Sequence, residues 1–206
     1  AGACTEPQKE LLWQKLQSPE HLWCACGLST VDQSAPYYRR DGYWNGAVWM
    51  PYQWMFFKSA LDAGLADFAY RIADTVLTLW QNECTESYCC FEHFMIESRR
   101  GAGWHQFSGL SSPIVQLFSA YYRPGTLTTG FDAFVRHTDW APDNSALNAT
   151  LDFTAAGRST VLAVLQPGPK AVTASVPCTV VTRHDGLLEL TFALDAPCTV
   201  TISIHS

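Results

Sequence analysis

The spacing of apolar residues changes once along this chain, and the change divides it. Up to about residue 122 apolar positions recur every three or four residues; from about Asn148 they recur every second residue. The first period belongs to helices that bury one stripe, the second to strands that bury one face. Helices followed by strands, rather than alternating with them, predict an α+β chain. Aromatic residues respect the same division. All eight Trp lie between Trp13 and Trp140, and beyond Trp140 the only aromatics are Phe153 and Phe192.

The helical part begins at Thr5-Glu6-Pro7-Gln8, where Thr5 and Gln8 have capping-box spacing and Pro7 suits a first turn. Leu12 and Leu16 are one turn apart, and Pro19 ends the run. Gly27 to Gly46 reads as loop. A second helix is expected from Trp49 to Ala63, closed by Gly64, and a third carries the stripe Leu65, Phe68, Ala69, Ile72, Val76, Leu79. Gln81 to Gly109 then reads as one long loop, a length that usually serves function. Ser112 as cap and Pro113 open a fourth helix with Ile114, Leu117, Phe118 and Tyr121, stopped by Pro124-Gly125. Arg123 to Pro142 reads as a connection. The alternating runs at 147–153, 161–165, 172–176, 188–192 and 200–204, with a tight hairpin at His184-Asp185-Gly186, predict a six-stranded antiparallel β-sandwich. The expected domains are thus 1–139, helical, and 140–206, a small β-sandwich.

Composition narrows the function. With 48% hydrophobic and 16% charged residues the chain has ample material for a core. A net charge of −6 argues against nucleic acid or an anionic membrane as partner. No apolar run approaches the roughly 18 residues of a membrane span. No basic head with an apolar core opens the sequence, and a cytoplasmic location is the expectation. The eight Cys (4, 24, 26, 84, 89, 90, 178 and 198) lack zinc-site spacing and read as small buried hydrophobes in a reducing compartment. Neither metal nor cofactor is expected.

Two clusters in the helical part carry sugar-binding chemistry. One is Tyr43-Trp44-Asn45-Gly46-Ala47-Val48-Trp49, running on to Tyr52 and Trp54. The other runs from Glu92-His93-Phe94 to Arg99-Arg100-Gly101-Ala102-Gly103-Trp104-His105-Gln106-Phe107-Ser108-Gly109. Sugar rings have apolar CH faces that pack on flat aromatics and polar rims that bond to Asn, Asp and Glu. Each piece alone also fits an ordinary role: aromatics entering a helix are often core, and a loop Glu is usually solvated. Both clusters precede helices, where loops build sites on rigid scaffolds.

Together, Tyr43-Trp44-Asn45-Gly46-Ala47-Val48-Trp49, Glu92-x-Phe94 and Phe107-Ser108-Gly109-Leu110-Ser111 resemble the C-terminal part of the (α/α)6-barrel glycosidases. The resemblance is to glycoside hydrolase family 63 and its mannosylglycerate-hydrolase-like and trehalase-like relatives. It covers about Thr5 to Tyr122, within which Trp23 with Gly27-Leu28-Ser29-Thr30-Val31-Asp32 resembles the family's loop before the tryptophan motif. Three positions depart from the pattern. Asn45 stands for the usual Arg, Met95-Ile96-Glu97-Ser98 for Asp-Pro-x-Thr, and Leu110 for the usual Trp, though Trp104 lies nearby.

The resemblance implies an inverting mechanism on α-linked gluco- or manno-configured substrates. Two carboxylates would stand roughly 6.5–9.5 Å apart to admit the attacking water. The motif match makes Glu92 the general base, with Glu97 and then Glu86 as alternatives. Tyr43, Trp44, Asn45 and Trp49 would bind the sugar, and Trp104, His105 and Phe107 would help close the site. No counterpart of the family's general acid is found, and about four helices cannot complete a twelve-helix ring. The expectation is a C-terminal fragment whose partners are a carbohydrate substrate and the missing N-terminal half of the barrel. A non-catalytic carbohydrate-binding or interaction module is the alternative.

Overall fold

The computed structural model describes residues 4–206; the first three residues of the expected helical domain lie outside it. The architecture is α+β. The longer helices are α1 (Glu6–Gln17), α2 (Met50–Asp62), α3 (Ala66–Ser87) and α5 (Pro113–Tyr122), with a single turn, α4 (Ser108–Ser111), before the last. Two short ribbons lie among them: β1 (Trp23–Cys24) with β2 (Gly27–Leu28), and β3 (His93–Phe94) with β4 (Gly101–Ala102). Eight strands follow: β5 (Thr126–Thr128), β6 (Ala133–Trp140), β7 (Leu147–Phe153), β8 (Gly157–Val164), β9 (Ala171–Ala174), β10 (Cys178–His184), β11 (Leu187–Leu194) and β12 (Cys198–His205). The chain divides into two compact units, Ala1–Met55 with Arg71–Ile114 and Phe56–Tyr70 with Val115–Ser206.

The start of α1 forms as its residues dictate: the Gln8 side chain accepts the Thr5 backbone N–H at 2.8 Å and the Thr5 hydroxyl at 3.1 Å. Only Leu16 of this helix is buried. In the first unit, Trp23, Cys26, Leu28, Trp49, Ile72, Val76 and Phe94 are among the buried apolar residues. One polar side chain is buried with them. Gln53 of α2 is fully buried; its Oε1 accepts the Leu28 N–H at 2.8 Å and its Nε2 donates to the Leu28 carbonyl at 2.7 Å. It thereby satisfies both backbone groups of a buried residue that water does not reach.

The second unit is built on a sandwich of two four-stranded antiparallel sheets, ordered β10-β11-β8-β5 and β6-β7-β12-β9. Leu147, Leu151, Val161, Leu190, Phe192, Val200 and Ile202 are among the residues packed between them. The hairpin from β10 to β11 turns at Asp185-Gly186, where Gly186 has φ +91° and a Cβ would press on the Leu165 carbonyl. Within this unit the Asp62 carboxylate accepts the backbone N–H groups of Phe131 (2.7 Å) and Asp132 (3.0 Å), and the Lys58 ammonium bonds the Thr129 carbonyl.

Three expectations are corrected. The long loop at Gln81–Gly109 is helical as far as Ser87 and then forms the β3–β4 ribbon. The stripe of α3 continues inward past Leu79 at Glu83, a charged residue, so the apolar period hides the last turns. The connection at Arg123–Pro142 contains β5 and β6, and the sandwich has eight strands rather than six. Strands therefore begin well before the expected boundary at residue 140. Both are edge strands, and the exposed Phe134, Val135, Arg136 and His137 of β6 show no inside–outside alternation to read. Ser112 is not an extended cap: it is helical, and its hydroxyl turns back to the Gly109 carbonyl at 2.9 Å.

Replacing Gln53 with Leu removes both partners of Leu28 without opening a large cavity. It is expected to cost about 2–4 kcal/mol, because two buried backbone groups lose their bonds. The urea midpoint of the variant against the parent measures this.

Candidate active site

Backbone pairing joins the two aromatic clusters. The Val48 N–H donates to the Phe94 carbonyl and the Phe94 N–H to the Val48 carbonyl, both at 2.9 Å. Trp49 and Glu92 are thereby brought to the same place from positions over forty residues apart. The Gly27–Asp32 loop supports the first cluster from outside: the Gly46 N–H donates to the Thr30 hydroxyl at 3.0 Å, and the Thr30 N–H to the Ala47 carbonyl at 3.3 Å.

The aromatic rings form a stack of three. Trp44 lies on Trp49 at 3.6 Å between centroids and 13° between planes, and Trp49 lies on His93 at 5.0 Å and 17°. Tyr43 meets both Trp49 and His93 edge-on. The Trp49 indole N–H donates to the Tyr43 carbonyl at 2.8 Å. Exposure separates their roles. Trp44 is 47% exposed and Trp104 61%, whereas Trp49 has no exposed surface. Trp49 therefore cannot face a sugar, contrary to the expectation; it backs Trp44 and holds the Tyr43 loop. Asn45 also has an internal duty, since its amide donates to the Tyr37 carbonyl at 2.9 Å.

Glu92 stands at the meeting point of the two clusters. One carboxylate oxygen accepts the Tyr43 hydroxyl, and the other accepts the Trp104 backbone N–H at 3.2 Å. The Glu92 N–H returns a bond to the Trp104 carbonyl at 3.0 Å. The Tyr43 hydrogen bond, with help from the Trp104 N–H and nearby His93, holds the Glu92 carboxyl below its ordinary pKa despite partial burial. The same bond raises the Tyr43 phenol, so it stays a donor. Glu97 and Glu86, the alternative carboxylates, are placed differently: Glu97 pairs with Arg40 at 3.4 Å and Glu86 with Arg100 at 2.6 Å.

Trp104, His105 and Phe107 are all exposed on the segment that pairs with the approach to Glu92. The Cys90 N–H donates to the His105 carbonyl at 3.1 Å, and the Phe107 N–H to the Cys90 carbonyl at 2.8 Å. Trp104 and His105 stack at 5.7 Å.

Two participants were not anticipated from sequence. Glu83, whose side chain is 2% exposed, accepts Arg100 through Nε at 2.8 Å and through a terminal nitrogen at 3.1 Å, and accepts the Gly101 N–H at 2.8 Å. It therefore anchors β4, the strand that faces His93 and Phe94. Its signal was a charged residue at the next position of an apolar stripe. His93 is the other, read only as part of the cluster; it is 6% exposed and its Nδ1 has no partner in the protein.

Among the described residues no group of three or more His, Cys, Asp or Glu stands close enough to hold a metal ion. All eight Cys are free; Cys24 and Cys26 are buried and the rest partly or fully exposed, which corrects the expectation of uniformly buried thiols. Burial pushes the Cys24 thiol up to about 11 and Cys26 up to about 12, so neither is a ready nucleophile.

The profile of the mannosylglycerate hydrolase MGH1-like glycoside hydrolase domain matches residues 1–105. The chain belongs to this glycoside hydrolase family. A curated relative, the mannosylglycerate hydrolase of Thermus thermophilus, is 29% identical over 84 residues, which cover 41% of this chain and 20% of the relative. The chain thus spans about a fifth of that relative's length. A GH63 mannosylglycerate hydrolase from another strain of Thermus thermophilus, solved with glucose, is 23% identical, with a TM-score of 0.47 over 57% of this chain and 28% of that one. The same enzyme solved with Tris and D-glycerate is 26% identical, with a TM-score of 0.46 over 57% of this chain and 26% of that one. No helix among the described residues is long and apolar enough to cross a membrane.

The Glu83–Arg100 pair yields a test of how the site is held. Arg100→Ala leaves a buried carboxylate without its cation and is expected to cost about 3 kcal/mol, more than Glu83→Gln, which keeps an acceptor for Gly101. Arg100 holds the Glu83 carboxyl below its usual pKa. The pair's contribution is therefore present above the ordinary glutamate pKa and lost as pH falls through the lowered folded value. Thermal melts across acid pH should show a shallower acid loss in Glu83→Gln than in the parent.

Proposed function

We propose that this chain supplies the general-base side of an inverting glycosidase acting on α-linked gluco- or manno-configured glycosides. The observation that supports this most directly is the setting of Glu92. An ionised carboxylate, oriented by a phenol on one oxygen and a backbone N–H on the other, stands beside exposed indoles. A general base must be ionised and hold a water by hydrogen bond. In the inverting reaction Glu92 takes a proton from water as the water oxygen bonds to the anomeric carbon. The bond from that carbon to the leaving oxygen breaks, and a second carboxyl protonates that oxygen. Trp44 offers a flat face for a sugar ring, kept in place by the buried Trp49 beneath it. Trp104, His105 and Phe107 add exposed rings on the segment paired with Cys90 and Glu92.

The helices of this chain are read as the C-terminal part of an (α/α)6 barrel. The general acid is placed on a further, N-terminal part of the barrel, outside these residues. The likeness to a mannosylglycerate hydrolase supports a glycoside with a small charged aglycone as one substrate to assay. The observation against a purely binding module is that Glu92 is oriented by two donors, more than a hydrogen bond to a sugar hydroxyl requires.

Two outcomes are expected. In an enzyme that includes the whole barrel, Glu92→Gln lowers kcat by about 10³-fold, while Glu97→Gln changes it less than about threefold. Equal losses, measured with an α-mannoside or α-glucoside, would move the base to another carboxylate. The isolated 206-residue chain is expected to show no turnover of those substrates above the uncatalysed rate. Robust turnover would place both carboxylates within it, and tight sugar binding without turnover in the complete protein would favour the module.

A further inference from the structure

Three of the eight thiols stand together at the end of α3, just before the proposed base: Cys84, Cys89 and Cys90. The helix ends at Ser87. Tyr88 then takes the left-handed conformation, with φ +57°, and its N–H donates to the Cys84 carbonyl at 2.9 Å. A left-handed residue after a helix turns the chain back along the last turn. Cys89 and Cys90 therefore return past Cys84 instead of leading away from it.

The three sulfurs differ in their partners. Cys84 Sγ donates to the Cys89 carbonyl at 3.1 Å, and Cys89 Sγ donates to the Ser87 carbonyl at 3.3 Å. Cys90 is the residue whose thiol meets that of Cys84, as a hydrogen-bonding neighbour. Burial and then the Cys90 thiol push the Cys84 pKa up to about 11. All three residues keep some exposed surface, unlike the buried Cys24 and Cys26. Cys90 is also tied to the candidate site. Its N–H donates to the His105 carbonyl, its carbonyl accepts the Phe107 N–H, and Glu92 lies two residues on.

We infer that Cys84 and Cys90 form a redox modification site, which a small-molecule disulfide such as oxidised glutathione converts to an internal disulfide that lowers activity. The effect on activity rests on the reading of Glu92 as the base; formation of the bridge does not. Cys90 loses its proton to solvent, and its thiolate attacks one sulfur of glutathione disulfide. That sulfur–sulfur bond breaks, and its electron pair leaves on a glutathione thiolate, which takes up a proton. Cys84 then loses its proton, attacks the Cys90 sulfur and displaces the second glutathione as its thiol. Two protein thiols are oxidised and one glutathione disulfide is reduced to two thiols. The raised pKa of Cys84 slows an encounter with a free oxidant, but its fixed contact with Cys90 favours the second, internal step. Bonded sulfurs stand only about 2.0 Å apart, so the two side chains must close up. Cys84 lies in a helix whose adjacent residue, Glu83, is held by Arg100; Cys90 lies on the returning chain. Cys90 therefore gives way, and the backbone bonds carry His105 and Phe107 with it.

The test treats the protein with glutathione disulfide and maps its peptides by mass spectrometry. The expected product is a Cys84–Cys90 bridge, seen as the loss of two hydrogens and reversed by dithiothreitol. Cys84→Ser is expected to stop at a glutathione adduct on Cys90, and Cys89→Ser to form the bridge as the parent does. Glutathione adducts without a bridge in the parent, or a bridge between other cysteines, overturn the site, and this reading needs no variant to fold. In the complete enzyme the bridged form is expected to lose at least about threefold in kcat and to regain it with dithiothreitol. The double variant Cys84→Ser/Cys90→Ser should show no such response. An unchanged kcat in the bridged enzyme overturns the link to activity. The reading of Glu92 is decided separately, by Glu92→Gln in the reduced enzyme.

Discussion

The paired backbone hydrogen bonds between Val48 and Phe94 are the joint on which the candidate site depends. Each is 2.9 Å long and both residues are buried, so water does not compete for them. One residue beyond Val48 is the indole that backs the stack; two residues before Phe94 is Glu92. Without the joint, the aromatic loop and the carboxylate would belong to separate loops. The β3–β4 ribbon that continues it has only two residue pairs, too short to persist alone. Its outer strand is held instead by the charge-assisted bonds of Glu83 with Arg100 and the Gly101 N–H. A buried carboxylate in α3 thus sets the position of a catalytic candidate that it does not touch.

The parts of the fold that were legible in the sequence are those with a strong period or a specific cap. Thr5 and Gln8 predicted the start of α1, Gly64 the end of α2, and Asp185-Gly186 the hairpin of the sandwich. The strands that were missed are edges. β6 exposes apolar and polar residues alike, and β5 is three residues long, so neither carries a burial pattern. The end of α3 was missed for the opposite reason. Glu83 is inside, but a charged residue at an inward position breaks the apolar pattern that marks a helix. Its partner Arg100 lies seventeen residues away, and pairing at that range has no local signature.

The site was legible as a composition and not as an arrangement. Tyr43, Trp44 and Trp49 have the same chemistry on paper, yet Trp44 is half exposed and Trp49 fully enclosed. Which of two neighbouring indoles faces out is decided where α2 begins: Trp49 sits at the helix entrance, packed over His93, while Trp44 is five residues back on the loop. Asn45 looked like a sugar ligand because its amide could bond a hydroxyl, but the turn uses that amide to hold Tyr37. Sequence alone could not tell Glu92 from Glu97 or Glu86 by charge; the distinction is their partners. Glu86 and Glu97 meet arginines, and Glu92 meets a phenol and a backbone N–H.

That difference in partners has a chemical meaning. An arginine beside a carboxylate occupies one of its oxygens with a cation. A phenol and an amide orient the group and leave its charge in place. The Tyr43 bond lowers the pKa of Glu92 and raises that of Tyr43, so the proton stays on the phenol and the negative charge on the carboxylate. A general acid needs the reverse, a carboxyl kept protonated by burial or by a neighbouring negative charge. Glu92 is thus kept ionised by its surroundings, the state in which a carboxylate can bind a water, and is unsuited to deliver a proton to a leaving group. The inverting reaction proposed for Glu92 would pair it with a second carboxyl of opposite character across the sugar. The asymmetry around one glutamate is what connects the Tyr43 loop to the chemistry proposed for it.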